Sequence, residues 1–367
     1  MNFNFDADTL NSLVGGLYSL SIPRLNVHDL DQAYEFARSY GFDLRNEEDR
    51  QKVYGYHSRA VTYMRSEILT EDEKIPDVLA DPKKLGDLGN LLVYASQRGG
   101  REPSLQSWAC ALLKVMHVLV HLDSDLFTKF SSPIQEQILR PIQAHIYNDP
   151  VRGVTLGPAS DPESIVLKKF DVKAFKTSSS SITKLLAKPD VVAFSLLDKV
   201  GVRFITKHLF DAFRVMRYLS EKNIVCIPHN VPDQSNNTLY PTNLFLQEME
   251  NLTGDQKITP EEIDQRLVAR LERHREDAKY LLKLNSFSSL EYRFIKFITR
   301  RMIRVKNDGG QGPAFTFFYP FEVQIVDYQT YLENLSGKAS HDKYKARQKK
   351  AARQRTLAWA ESGQREE

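Results

Sequence analysis

Residues 318–345 read FYPFEVQIVDYQTYLENLSGKASHDKYK. The first part is rich in aromatic and β-branched side chains, which favour a strand. A strand sends successive side chains to opposite faces. Glu322 and Gln324 therefore share one face, and Phe321, Val323 and Ile325 the other. The apolar face reads as core. The face with Glu322 and Gln324 is then either solvated or lines a site, and a half-exposed strand would show the same pattern.

Working outward, Ala314–Val326 and Tyr292–Val305 are two long β-compatible runs. Asp308–Gly309–Gly310–Gln311–Gly312 lies between them, which predicts a hairpin. Upstream, Val200–Ile205 is a short apolar strand and Ile165–Lys176 is β-compatible. Ser178–Lys188 reads as a helix with serines suited to its start, and Asp211–Ser220 as another, with a further strand at Asn223–Ile227. Strands alternating with helices predict a mixed β-sheet flanked by helices, an α/β or α+β fold.

Residues 229–290 interrupt that order. They open with a polar loop, Pro232–Asn237, and carry the helix start Thr259–Pro260–Glu261–Glu262, with the helix expected to run to about Leu284. Before the sheet region, Asp29–Tyr40, Glu47–Ile68, Ser104–Leu122 and Ile134–Tyr147 have helical apolar spacing. The expected organisation is an all-α domain at 1–130, the sheet domain at 131–347 with 229–290 inserted, and a basic tail at 348–367.

The composition sets outer bounds. A chain of 367 residues, 41% hydrophobic and 26% charged, can bury a sizeable core. A net charge of +3 does not by itself imply nucleic-acid binding. Cys110 and Cys226 stand apart from any Cys/His cluster, so they read as buried thiols rather than zinc ligands. The opening MNFNFDADTL lacks a basic region followed by an apolar core, and no stretch reaches the roughly 18 continuous apolar residues of a membrane span. The expectation is a soluble cytoplasmic protein without a membrane partner.

Arg203 stands inside an apolar strand, and Asp198 just before it. A half-buried guanidinium needs a carboxylate, a phosphate or several carbonyls. A structural Arg–Asp pair would satisfy it, and so would a phosphorylated ligand.

Taken together, these segments resemble the synthetase domain of RelA/SpoT proteins and the small alarmone synthetases. The resemblance rests on Ser181–Ile182 with Lys184, on Asp198 followed by Gly201–Val202–Arg203, and on Glu322–Val323–Gln324–Ile325. Gly337, His341, Tyr344 and Lys345 then follow Glu322 at the family's spacing without a gap. Tyr292 and Lys296 fall where the family has its acceptor-nucleotide loop, with Lys296 in place of a histidine and the loop glycine absent. The family's Arg-x-Lys before the serine helix is also out of register. Phe175 and Thr177 stand there, with Lys173 and Lys176 nearby.

The resemblance implies Mg²⁺-dependent transfer of pyrophosphate from ATP to the ribose 3′-hydroxyl of an acceptor nucleotide. It assigns Asp198 and Glu322 to the metal, and Glu322, Asp198 and Arg203 to catalysis. Lys173, Lys176, Ser181, Lys184, Tyr292, Lys296, Gln324, His341 and Lys345 become nucleotide-binding residues. Two other functions fit the same residues: an inactive nucleotide-sensing module, and an enzyme that pyrophosphorylates transfer RNA 3′ ends. The cation-rich stretch Lys343–Arg355 is the feature that would hold RNA, or it is a solvated helical extension.

His117 and His121 share a helix face at metal-pair spacing, but satisfied histidines in a helical bundle are the simpler reading. His28–Asp29 has no upstream ligand histidine, so no hydrolase domain is expected.

Overall fold

The computed structural model describes residues 25–97, 104–173, 178–187, 197–252, 258–281, 292–306, 315–335, 341–357 and 359. Along the chain run α1 (Leu30–Tyr40), α2 (Glu47–Tyr63, ending in a π-turn at Met64–Ile68), α3 (Asp77–Ala80), α4 (Pro82–Leu85), α5 (Gly89–Ser96), α6 (Leu105–Asp123) and α7 (Leu126–Gln143). Strands β1 (Ile146–Asp149), β2 (Gly153–Leu156) and β3 (Ile165–Val172) follow, then α8 (Ser178–Ala187), β4 (Gly201–Thr206) and α9 (Leu209–Glu221). After β5 (Asn236–Asn237) come α10 (Thr242–Glu250) and α11 (Pro260–Arg273), then β6 (Ile295–Val305), β7 (Phe315–Asp327), α12 (Tyr328–Leu335) and α13 (His341–Thr356).

The fold is α+β: among the described residues, one seven-stranded mixed sheet with helices packed on it. The strand order is β1-β2-β3-β4-β7-β6-β5, and only β4 and β7 run parallel. The chain divides into two compact units. One holds Met1–Thr128, Lys176–Leu196 and Lys345–Glu367, and the other Lys129–Phe175 and Leu197–Tyr344. The serine helix α8 and most of α13 thus group with the N-terminal helices, a grouping that linear order does not reveal.

In the helical unit, α6 is the central rod. Ser104 caps its start by accepting from the Ser107 amide. Its apolar residues Trp108, Leu112, Val115, Val118 and Leu119 are buried, and α2, α5 and α8 pack on it. By length and hydropathy α6 also meets the measure of a membrane span, yet half of its most apolar window is buried within the protein. The basic helix α13 is tied into this unit. Arg353 donates to both oxygens of Glu73 at 2.7 Å, and Lys349 pairs with Glu67 at 3.1 Å. Two cations of the expected basic tail, Lys349 and Arg353, thus pair with acids of this unit, while Lys350 is exposed. The His117–His121 pair packs ring against ring at 4.4 Å, and the Tyr40 hydroxyl lies 2.7 Å from His117 Nδ1.

In the sheet unit, α9 lies across β3, β4 and β7. Val202, Phe204, Val323 and Ile325 are at most 1% exposed and form the core beneath the strands. Three local expectations are corrected here. Helix α7 stops at Gln143, and the chain turns into the β1–β2 hairpin, whose turn is fixed by Asp149 accepting from the Val151 and Arg152 amides. Residues 223–227 are not a strand. Asn223 takes a left-handed φ of 54°, and the Ile224 and Val225 amides bond back to Leu219 O, so the segment closes α9 rather than joining the sheet. Helix α11 ends at Arg273, not near Leu284. Its buried residues are Ile263 and Leu267, and past His274 the charged Arg275–Asp277 tightens into a 3-10 turn.

The segment 229–290 is bound into the sheet unit where it is described. Strand β5 pairs with β6. The Asp264 carboxylate of α11 accepts from the Leu209 and Phe210 amides at 2.9 and 2.8 Å, capping α9 from another helix.

Candidate functional site

The register of four strands decides which side chains meet. Gly201 of β4 stands opposite Glu322 of β7, and Arg203 opposite Gln324. Across the other edge of β7, Lys296 of β6 stands opposite Gln324 and Ile298 opposite Glu322. Asp171 of β3 stands opposite Arg203. Directly opposite residues share a face. Arg203, Glu322, Gln324, Lys296 and Asp171 therefore form one charged band across β3, β4, β7 and β6.

Glu322 is its centre. The residue is 4% exposed, with the buried Ile298 directly opposite it. The Lys173 ammonium donates to its Oε1, and the Lys296 ammonium lies 3.7 Å from its Oε2. Lys173 reaches it because Gly201 has no side chain. A Cβ there would sit 3.1 Å from Lys173 Cδ and 3.2 Å from the Glu322 carbonyl. An acid so buried requires such pairing, since an isolated buried carboxylate is costly.

Gln324, also 4% exposed, continues the band. Its Oε1 accepts from Arg203 Nε at 2.9 Å, and its Nε2 donates to the Tyr292 hydroxyl at 3.3 Å. Arg203 is thus met by an amide, not by the structural aspartate considered above. Asp171, though opposite it, pairs with Lys169 at 3.0 Å and holds the Lys169 ammonium above its ordinary pKa through that hydrogen bond.

Lys173, Lys296 and Glu322 thus form one cluster and Arg203, Gln324 and Tyr292 another, side by side on the sheet. Asp198 stands three residues before β4 and is partly buried. Ser181, 5% exposed, and Lys184 lie on α8, and Lys345 on α13, all within the helical unit. His341 begins α13 in the sheet unit; its side chain and all of Lys176 lie outside the described residues.

Two positioning residues had no signal in the sequence. Asn334 of α12 accepts from the Arg293 amide at 3.1 Å and donates to the Arg293 carbonyl at 2.7 Å. The Thr238 hydroxyl accepts from the Phe294 amide at 3.0 Å and donates to the Tyr292 carbonyl at 3.2 Å. Together they clamp the backbone from Tyr292 to Phe294. Side chains that bond a distant main chain leave no periodic trace, so only the fold reveals them.

Glu322 supplies one carboxylate of the kind that a divalent cation takes. Mg²⁺ takes one or two carboxylates together with substrate phosphates and water. The Lys173 ammonium already stands in for a cation on Glu322 Oε1. Among the described residues no group of three or more His, Cys, Asp or Glu gathers as a closed metal cage.

No family model matches the chain. No curated protein matches it either. Among solved structures, it is similar to a GTP pyrophosphokinase family protein from Streptococcus pneumoniae, with 14% identity over 65% of this chain and 91% of that chain, and a TM-score of 0.27.

Proposed function

We propose that this chain transfers the β,γ-pyrophosphate of ATP to the ribose 3′-hydroxyl of an acceptor nucleotide, with Mg²⁺ as cofactor and release of AMP. The observation that carries the reading is the buried Glu322 carboxylate held between Lys173 and Lys296, beside the Arg203–Gln324–Tyr292 chain. A carboxylate ringed by cations has both parts that the reaction needs, a proton acceptor and charge neutralisation for a triphosphate.

Glu322 takes the proton from the 3′-hydroxyl as the O3′–Pβ bond forms and the bond from Pβ to the oxygen bridging Pα breaks. Lys173, Lys296 and Arg203 offset the charge on the transferred phosphates. Tyr292 offers a ring for the acceptor base. Glu322 and Asp198 would hold the Mg²⁺, which when bound neutralises phosphate charge.

The seat of Lys173 on Glu322 Oε1 favours a second reading, a module that binds a nucleotide without turning it over. One assay separates the two. ATP labelled at the γ-phosphate is offered with Mg²⁺ and, in parallel, GDP, GTP, ADP, AMP and bulk transfer RNA, with Glu322→Gln as control. The transferase reading expects label on one acceptor and none with the variant. ATP binding without transfer to any acceptor would establish the sensing module instead.

A further inference from the structure

Strand β6 carries a second cationic feature that plays no part in the Glu322 network. Beside the end of α9 lies a cavity of about 200 Å³, lined by Asn223, Ile224, Cys226, His229, Arg300, Arg301, Met302 and Phe321. Its lining contains two guanidiniums and an imidazole and no acid. Arg301 is the telling residue. It donates to the Ile224 carbonyl at 2.8 Å and toward the Gln137 carbonyl at 3.5 Å. Among the described residues it has no carboxylate partner, and burial alone pulls its pKa below the ordinary value.

Arg300 is exposed and, among the described residues, makes no ion pair. Its guanidinium lies 5.9 Å from the centre of the Phe318 ring, against which His229 also packs at 4.9 Å. A guanidinium has five N–H donors in a fixed fork, and two main-chain carbonyls leave donors over on Arg301. A half-buried cation without a counter-charge costs free energy that an incoming anion would offset.

We infer that this cavity binds a phosphate group, either free or as the end of a small phosphorylated molecule. Its size supports the choice. It is smaller than the roughly 300–1,000 Å³ of pockets that enclose a drug-sized ligand, so it takes the anionic end rather than a whole nucleotide. Planar forks such as Arg301 match phosphate oxygens better than a point charge does. The site is separate from Glu322. None of Lys173, Lys296, Glu322 and Gln324 lines it, and Arg301, opposite Tyr319, shares the Phe321 face away from Glu322, while Arg300, opposite Pro320, lies on the Glu322 face.

Cys226 is not the buried thiol that the sequence suggested but an exposed one in the cavity wall, so it reports occupancy without any assay of turnover. In the full chain carrying Cys110→Ala, the rate of Cys226 alkylation by a maleimide is followed while inorganic phosphate, pyrophosphate or AMP is titrated. Sodium chloride at matched ionic strength serves as control. The inference expects saturable slowing, at least threefold, by one or more of the phosphates and not by chloride. Slowing by inorganic phosphate identifies the free ion as sufficient, and slowing by AMP alone identifies a phosphomonoester end. Arg300→Gln, an exposed change that leaves the fold intact, should weaken the protection at least fivefold. Arg301→Lys should weaken it too, with circular dichroism confirming its folding. Equal labelling rates with and without phosphates, or equal slowing by chloride, would overturn the inference.

Discussion

Arg203 and Gln324 stand opposite each other in the parallel register of β4 and β7, and Arg203 Nε donates to Gln324 Oε1 at 2.9 Å. The contact fixes which way the amide faces, because its nitrogen is then left to donate to Tyr292. It also answers the question that a charged residue inside an apolar strand poses. Gln324→Leu removes the acceptor and leaves a half-buried guanidinium donor unmet, so it should destabilise the protein by about 1–3 kcal/mol. Gln324→Glu keeps an acceptor for Arg203 and for the Tyr292 hydroxyl and should cost less. Urea unfolding of the three proteins checks this. A Leu variant as stable as the parent would mean that the Arg203 contact contributes nothing.

The Lys173–Glu322 pair should behave as a unit. Glu322 has a side chain only 5% exposed and Lys173 one that is 25% exposed, so loss of either partner strands the other in a poorly solvated place. Lys173→Met and Glu322→Gln should each destabilise, and the double variant should cost less than their sum. The expected coupling lies in the range of about 0.5–3 kcal/mol found for residues in direct contact. Additive losses would show that Lys296 alone suffices to hold the carboxylate. Gly201→Ala tests the same pair from the backbone side. Its Cβ would press on Lys173 Cδ at 3.1 Å, and overpacking of that kind costs about 1–3 kcal/mol.

Much of this site was legible in the sequence, because strands advertise their faces. Alternation in β7 placed Glu322 and Gln324 together, and the sheet register confirms their common side. The charged Arg203 in an apolar run marked β4 as the strand that faces them. The residues that escaped are those whose role depends on long-range docking. The four-residue strands β1 and β2 are too short to show a period, and they follow a proline-bearing helix that masks the change. Asn223–Ile227 is apolar and β-branched but is claimed by the end of α9. The grouping of Ser181 and Lys184 with the N-terminal helices depends on α8 packing against α6, which no local pattern encodes.

Asp264 joins the segment 229–290 to the sheet unit through two main-chain amides of α9. Its carboxyl is pushed above the ordinary carboxylate range, chiefly by burial, while those same two amides pull it back. His208 lies beside it, 3.4 Å from Oδ2. Asp264→Ala removes a cap and should cost about 0.5–2 kcal/mol, the range for losing a capping acceptor. Asp264→Asn keeps one accepting oxygen and should recover most of that loss. Hydrogen exchange at Leu209 and Phe210 gives a local reading. Their amides should exchange faster in the Ala variant while those of β7 stay protected, and unchanged exchange at α9 would remove Asp264 from its capping role.

Acid should destabilise the helical unit in two successive windows that meet near pH 4. Burial, helped by the neighbouring His121, lowers the His117 pKa from 6.5 to about 4. Between those values the unfolded chain binds a proton that the folded chain refuses, so stability falls as pH drops from 6.5 toward 4. His57, which burial lowers in the same direction, adds to this. Glu73 acts lower down. Arg353, through its hydrogen bonds, holds Glu73 at about 2 instead of 4.5, so its contribution is full above pH 4.5 and is lost as pH falls from there toward 2. Urea midpoints measured from pH 7.5 to 3.5 should therefore decline in both ranges. His117→Gln, which can still bond the Tyr40 hydroxyl, should flatten the decline above pH 4.5, leaving the share of His57. Arg353→Met should flatten the lower range and lower stability at neutral pH. A parental midpoint that stays constant from pH 7.5 to 5 would mean that His117 takes its proton as readily folded as unfolded, and that its ring is not buried against Tyr40 and His121 in solution.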